Sequence, residues 1–225
     1  MDHPLLAHFR SAAAGVYPPV DGGVTVLPPL GRGLECSVGF TGHAFVATAL
    51  SRDEVLAAGP DGFGGSLSPD FQRFLAGPGG WIDCIDVTLF ALGVGGPAAL
   101  PERDDLDEHY RVRHARAIRE DVRVYGDARG FVTLATGLAG RRELSVEIDE
   151  SRQGTGLGRE LLRQALTLVP AGEPVFAGVA PGNARSLRAF LATGFTPIGS
   201  EVVLRPVRDR RAAPSTRSAD TGHQL

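Results

Sequence analysis

Residues 143–169 read ELSVEIDESRQGTGLGRELLRQALTLV, and their pattern decides the fold. Leu144, Val146 and Ile148 alternate with Glu143, Ser145 and Glu147, the period of a half-buried strand over 143–149. Gly154, Thr155, Gly156, Leu157 and Gly158 then form a turn with little side-chain bulk. From Arg159 the apolar residues Leu161, Leu162, Ala165, Leu166 and Val169 recur at helical spacing. A strand, a glycine turn and a helix in that order aim unpaired backbone N–H groups at an anion, with the helix dipole assisting. Glycine suits the turn because a Cβ would hold a phosphate off the backbone. The stretch reads as a diphosphate-binding loop.

The diphosphate can be narrowed. A P-loop needs Gly-Lys-Ser/Thr, and the chain contains no lysine. The dinucleotide pattern G-x-G-x-x-G fails, because Arg159 stands at the third glycine. What remains is Gln153-Gly-Thr-Gly156-Leu-Gly158 with Arg152 before it; the bland alternative is an ordinary tight strand-to-helix turn. Downstream, 174–179 is a short apolar strand, Pro181-Gly182 breaks it, and Asn183 caps a helix over 184–193. Gly194 ends that helix and 198–204 reads as another strand.

The Q-x-x-G-x-G loop resembles the coenzyme-A pyrophosphate loop of the GNAT superfamily of N-acetyltransferases. Asn183, Ser186, Leu187, Phe190, Gly194 and Phe195, written N-x-x-S-L-x-x-F-x-x-x-G-F, are similar to that family's second motif. The resemblance covers about residues 121–204 and is only topological upstream. It implies an α/β fold: a mixed, splayed central sheet flanked by helices, here enlarged on the N-terminal side. It also implies acetyl transfer from acetyl-CoA, as cosubstrate, to a primary amine of an unidentified acceptor. In such a site pantetheine bonds the backbone of Val146 and Ile148, the pyrophosphate sits on residues 153–158, and Asn183 and Ser186 lie beside the pantetheine. The strand offers Glu147 and Glu143 as general-base candidates, against the alternatives of solvent-facing acids, ion pairs to Arg141, Arg142 or Arg123, or a water relay. Phe190 stands where many relatives carry a tyrosine that protonates the leaving thiolate. A phenyl ring donates no proton, so that role is vacant or moved, and a non-catalytic acyl-CoA-binding regulator is the second reading. A nucleotide-binding Rossmann domain is the third.

Composition supports an ordinary globule. The chain has 225 residues, 43% apolar content and a net charge of −3, which argues against a nucleic-acid partner. No apolar run is long enough to span a membrane, and the expectation is a cytoplasmic protein; a homodimer is left open. Cys36 and Cys84 make neither a disulfide framework nor a zinc set, and both read as reduced core residues. No metal is expected.

Residues 1–35, rich in Pro and Gly, read as a loosely packed arm with one short strand at 24–27. The acetyltransferase-like domain is placed at 36–205, and the polar stretch 206–225 is expected to be disordered. Within the domain, 34–50 reads as two strands. His43 reads as a strand histidine, with no acid close to it in sequence. Ser51 and Ser68 cap two short helices that match the family's variable substrate-side helices. Residues 81–92 read as one strand, on which Asp83 and Asp86 face opposite ways. The acids of 104–108 and the arginines of 111–119 read as a solvated helix with charges matched to its dipole. A hairpin follows at 122–136, and no part of 36–120 identifies the acceptor.

Overall fold

The computed structural model describes residues 2–149, 154 and 156–208. Six helices are present among them: α1 (Pro4–Ala13), α2 (Arg52–Ala57), α3 (Pro69–Ala76), α4 (Tyr110–Ile118), α5 (Leu157–Ala165) and α6 (Ala184–Leu191). The strands are β1 (Val24–Leu27), β2 (Glu35–Phe40), β3 (His43–Ala47), β4 (Trp81–Ile82), β5 (Asp86–Leu92), β6 (Glu120–Asp127), β7 (Gly130–Thr136), β8 (Arg142–Ile148), β9 (Pro174–Val179) and β10 (Thr196–Arg205). All join one mixed sheet in the order β1-β3-β2-β10-β5-β9-β8-β7-β6, with β4 paired to β10. The expected α/β class with a mixed, splayed sheet is what the chain adopts.

The splay lies between β8 and β9. They are parallel, yet their register consists of the single pair Glu143↔Phe176. Beyond it the strands part, and among the described residues β8 from Leu144 onward has no strand partner on that side. On its other side β8 pairs with β7 along its whole length, Thr136↔Arg142 to Gly130↔Ile148. So the gap is a local parting in an otherwise continuous sheet.

Alternation sorts the side chains onto two faces. Leu144, Val146 and Ile148 of β8, Val175, Ala177 and Val179 of β9 and Val87 and Leu89 of β5 point toward α5 and α6. There they pack with Leu161, Leu162, Ala165 and Phe190 in the largest core. Glu143, Ser145 and Glu147, Phe176 and Gly178, Asp86 and Thr88 have the opposite parity and share the other face. That face is covered in part by α1, whose Leu5, Phe9 and Ala12 are buried against Phe40, Phe45 and Phe176.

The loosely packed arm expected for residues 1–35 is corrected here. Pro4 opens a helix capped by His3, and its apolar stripe inserts into the core. The i, i+4 spacing of Leu5 and Phe9 was the legible signal, obscured by the Pro/Gly content that follows it. The N-terminal half is also woven into the sheet rather than appended to it. β5 lies between β9 and β10, paired with β9 from Val87↔Val179 to Leu92↔Pro174. Ser51 and Glu54 form the expected capping box on α2. No helix among the described residues is long and apolar enough to cross a membrane.

Candidate functional site

Two concavities meet at the splay. The first, a groove of about 860 Å³, runs along the ends of α5 and α6 and is lined by Val146, Ile148, Gly154, Gly156, Gly158 and Asn183 among others. Gly156 is the N-cap of α5 with φ +87, a left-handed conformation that costs a residue with a Cβ. Gly154 is likewise left-handed, at φ +82. Gly158 differs: a Cβ there would lie 3.4 Å from Cγ1 of Ile148, an ordinary contact, so the packing of α5 on β8 at this point does not itself require glycine. Arg111, Arg159, Arg185 and Arg188 border the groove. The N-terminus of α5, the bare glycine turn and these guanidinium groups suit a ligand with several negative charges. Gln153 and Thr155, expected to bind the coenzyme, lie outside the described residues. Leu157, expected there too, is the first residue of α5.

The second concavity, a cleft of about 570 Å³, lies on the other face and shares Arg111, Val146, Asn183 and Ser186 with the groove. Asn183 caps α6 by accepting the Ser186 N–H at 3.1 Å, which holds both residues at the junction. Phe190 lines the cleft but is buried, packed edge-on against Phe195 at 4.8 Å between centroids.

The floor of the cleft is a buried charge cluster. Arg141 is fully buried beneath Phe9, whose ring centre is 4.3 Å away. It gives two hydrogen bonds to Glu201, at 2.7 and 2.5 Å, and one to Glu143, at 2.8 Å. Glu143 also accepts the Leu138 N–H at 2.9 Å. Its second oxygen lies 2.5 Å from Arg119 Nε, an ion pair without the alignment of a hydrogen bond. Burial pushes the Glu143 carboxyl up, but the guanidinium groups of Arg119 and Arg141 outweigh it and hold the group at about 2.

Glu147 lies at the opposite end of β8. Arg111 of α4 pairs with it closely, the Tyr110 hydroxyl donates to it at 3.1 Å, and His109 Nε2 is 3.7 Å away. The two base candidates on β8 are thus both held by arginine, one in the cleft floor and one at the groove wall. Arg141, one of the arginines considered for such a pair, holds Glu143, whereas Arg111, which holds Glu147, was not among them.

Three sequence expectations change on this face. The strand expected over 81–92 is broken: residues 83–85 leave the sheet between β4 and β5, so alternation does not separate Asp83 from Asp86, and both line the cleft. Cys84, expected in the core, is exposed in that break, and its thiol donates to Asp86 Oδ1 at 3.1 Å. Desolvation and the neighbouring carboxylates push the thiol up to about 12, so it is an un-ionised donor and not a nucleophile. Cys36 is buried as expected.

Asp86 itself was missed. Burial pushes its carboxyl up to about 6, with Glu201 and Asp83 adding to the rise and Cys84 and Arg119 opposing it. The available signal was a carboxylate opening an apolar strand, VTLFAL, two residues after a cysteine. Alternation on an assumed unbroken strand hid it.

The helix expected to be merely solvated is the third change. α4 starts at Tyr110 with His109 as cap, so the acids at 104–108 precede it, pairing instead with Arg103, Arg113 and Arg116. Its Arg111, His114 and Ile118 line the cleft, whereas α2 and α3, expected on the substrate side, pack with β3 and β10 elsewhere. His43 does find an acid: Asp21 Oδ1 is 2.7 Å from Nδ1, and Thr25 Oγ1 is 2.9 Å from Nε2, remote in sequence and close in space. Among the described residues no group of three or more His, Cys, Asp or Glu is placed to hold a metal ion.

No family model and no curated protein matches the chain. Solved structures similar to parts of it include a GCN5-related N-acetyltransferase from Kribbella flavida, at 17% identity and TM-score 0.37 over 56% of this chain and 59% of that one. A GNAT-family acetyltransferase from Colwellia psychrerythraea is similar at 11% identity and TM-score 0.36, over 55% and 56%. A functionally unknown conserved protein from Staphylococcus epidermidis is similar at 10% identity and TM-score 0.40, over 61% and 66%. The chain's own fold is a mixed, splayed sheet in which the strand at the splay is followed by a glycine turn and a helix.

Proposed function

We propose that the protein transfers an acetyl group from acetyl-CoA to a primary amine. The observation that carries this is the meeting of a glycine-turn groove and a carboxylate-lined cleft at Val146, Asn183 and Ser186, where β8 leaves β9. A pyrophosphate on the N–H groups at the start of α5 directs the pantetheine along the open edge of β8, where Val146 and Ile148 offer backbone groups as a missing strand would. The thioester then reaches the junction, and an amine entering through the cleft meets it from the other face. Holding both reactants in one geometry supplies much of the rate, because a two-body encounter becomes an internal step.

The leaving thiolate needs no acid from Phe190. A thiol with an ordinary pKa of about 8.5 leaves tolerably as its anion near neutral pH. The second reading, an acyl-CoA binder without turnover, draws on that same residue, since the ring is committed to core packing against Phe195.

A panel of primary amines assayed for release of CoA thiol tests the reaction, with thermal shift by acetyl-CoA alongside. Acetyl-CoA at 100 times its dissociation constant should stabilise the fold by ~2.7 kcal/mol. NAD and ATP should do so much less. A shift without turnover supports the binder, and no shift at millimolar acetyl-CoA overturns both readings.

A further inference from the structure

We propose that Asp86 is the catalytic base of this cleft, the group that takes the proton from the attacking amine. The inference rests on the acyl-transfer reading above and assigns its proton transfer to a residue outside the glycine-turn half of the chain.

The first argument is position. Asp86 opens β5, which pairs with β9 so that Thr88 stands opposite Gly178 and Val87 opposite Val179. A Cβ on Gly178 would lie 2.7 Å from Asp86 Oδ2, so the carboxylate occupies the space that a side chain at 178 would fill. Gly178 is two residues beyond Phe176, the residue of β9 in register with β8. By parity Asp86, Gly178 and Ser145 share the cleft face. The carboxylate is therefore held over the mouth of the splay, on the side from which the amine enters.

The second argument is elimination by partner. Glu201 is held in a two-pronged bond by Arg141 and also accepts from Thr88 Oγ1 at 2.6 Å. Glu143 lies between Arg141 and Arg119, and Glu147 is taken by Arg111 and Tyr110. Asp83 accepts from the Cys84 N–H at 2.9 Å and faces His114 at 3.8 Å. Asp86 alone of these has a thiol, a weak donor, as its hydrogen-bond partner, and among the described residues no ion pair holds it. A carboxylate engaged by arginine has a depressed affinity for a proton, whereas a base works best when its pKa lies near the working pH.

The step balances without a further reactant. The nitrogen lone pair of the neutral amine attacks the thioester carbon, the C–N bond forms, and nitrogen becomes cationic. One N–H proton passes to Asp86, the carbonyl re-forms, and the C–S bond breaks with its electron pair on sulfur. The proton held by Asp86 then reaches the thiolate through water. The products are the N-acetylated amine and CoA thiol.

The test uses wild type, Asp86→Asn and Cys84→Ala, assayed for CoA-thiol release across pH and for acetyl-CoA binding by thermal shift. Asp86→Asn should bind acetyl-CoA as wild type does while kcat falls by ~10²–10⁴-fold. In wild type the acid limb of the kcat profile should reflect a group near 6. The charged and titratable groups facing Asp86 are Cys84 and Asp83 before β5, Glu201 on β10, and Arg119 after α4. Only the thiol donates a hydrogen bond that favours ionisation, so Cys84→Ala should move the acid limb upward. That variant changes an exposed side chain and keeps the proposal testable if Asp86→Asn does not fold. An Asp86→Asn enzyme with wild-type kcat, or an acid limb unmoved in Cys84→Ala, overturns the assignment and leaves acyl transfer standing. A wild type that turns over no amine overturns the functional reading, and the assignment with it.

Discussion

On the floor of the cleft, Glu143 and Glu201 are buried and clasped by Arg141. On its β5 wall, Asp86 is half-buried and is answered by a thiol. The same chemical group responds in opposite directions, to about 2 at Glu143 and to about 6 at Asp86. Burial raises both, and only the floor supplies the opposing cations. The floor is thus built to stay charged and hold β8, β10 and the turn before β8 together. The wall is built to change charge. A carboxylate's chemistry here follows from its partners more than from its depth.

The sharpest way to break that comparison is to remove the cation from the floor. Arg141→Ala leaves Glu143 and Glu201 buried without their shared partner and should cost ~3–5 kcal/mol of stability. Denaturant unfolding reads this directly, and a loss below 1 kcal/mol would mean that the cluster contributes little. The pH dependence has a definite sign. Glu143 is depressed from its ordinary 4.5, so its contribution is present above that value and is lost as pH falls toward 2.

The wall should behave in the reverse sense. Asp86 is raised from 3.8 to about 6, so its ionisation destabilises the folded state increasingly as pH rises through that window. Asp86→Asn should match wild type below pH 4 and be more stable above pH 6, by roughly 1–3 kcal/mol. A variant that is inactive and yet more stable is the signature of a site that trades stability for function. Thermal melts at pH 4 and pH 7.5 would show it, and a variant less stable at both would equate the wall with the floor.

A smaller effect should follow from moving the wall carboxylate without removing it. Gly178→Ala places a methyl 2.7 Å from Asp86 Oδ2 and 3.3 Å from Glu201 Oε1. The carboxylate must swing aside, so kcat should fall by about tenfold while acetyl-CoA affinity holds, because positioning contributes to rate. Steady-state kinetics and thermal shift separate the two quantities; an equal loss in both would place the effect in binding.

The smallest effect is expected at Glu147→Gln. Arg111 and Tyr110 hold this carboxylate in the manner of the floor, and glutamine keeps its shape. Turnover should stay within about threefold of wild type, since Arg111 and Tyr110 already occupy the carboxylate oxygens. A hundredfold loss in kcat with intact coenzyme affinity would transfer the base from β5 to β8.

Much of the fold was legible in local pattern. The alternation of 143–149, the glycine turn and the helical spacing after Arg159 are short-range features; β8 forms one residue earlier, and α5 starts two residues earlier, at Leu157, and ends at Ala165. The capping box at Ser51 and the cap at Asn183 were legible for the same reason: a side chain satisfies backbone groups three residues away. A Pro/Gly-rich composition misled at 1–35, where four buried side chains of α1 outweigh it.

The cleft was not legible, because its members come from β5, β8, β9, β10, α4 and the loop before β5. Sequence by itself determined the glycine turn, the helix it opens and the alternation that puts Val146 and Glu147 on opposite faces. Only the tertiary structure decided that β5 crosses between β9 and β10, that α4 closes the cleft, and that Asp86 fills the space over Gly178. The physical reason is one of range. Caps, turns and periodicity depend on neighbours within a few residues, whereas a carboxylate's charge and reach depend on which distant cations the sheet order brings beside it.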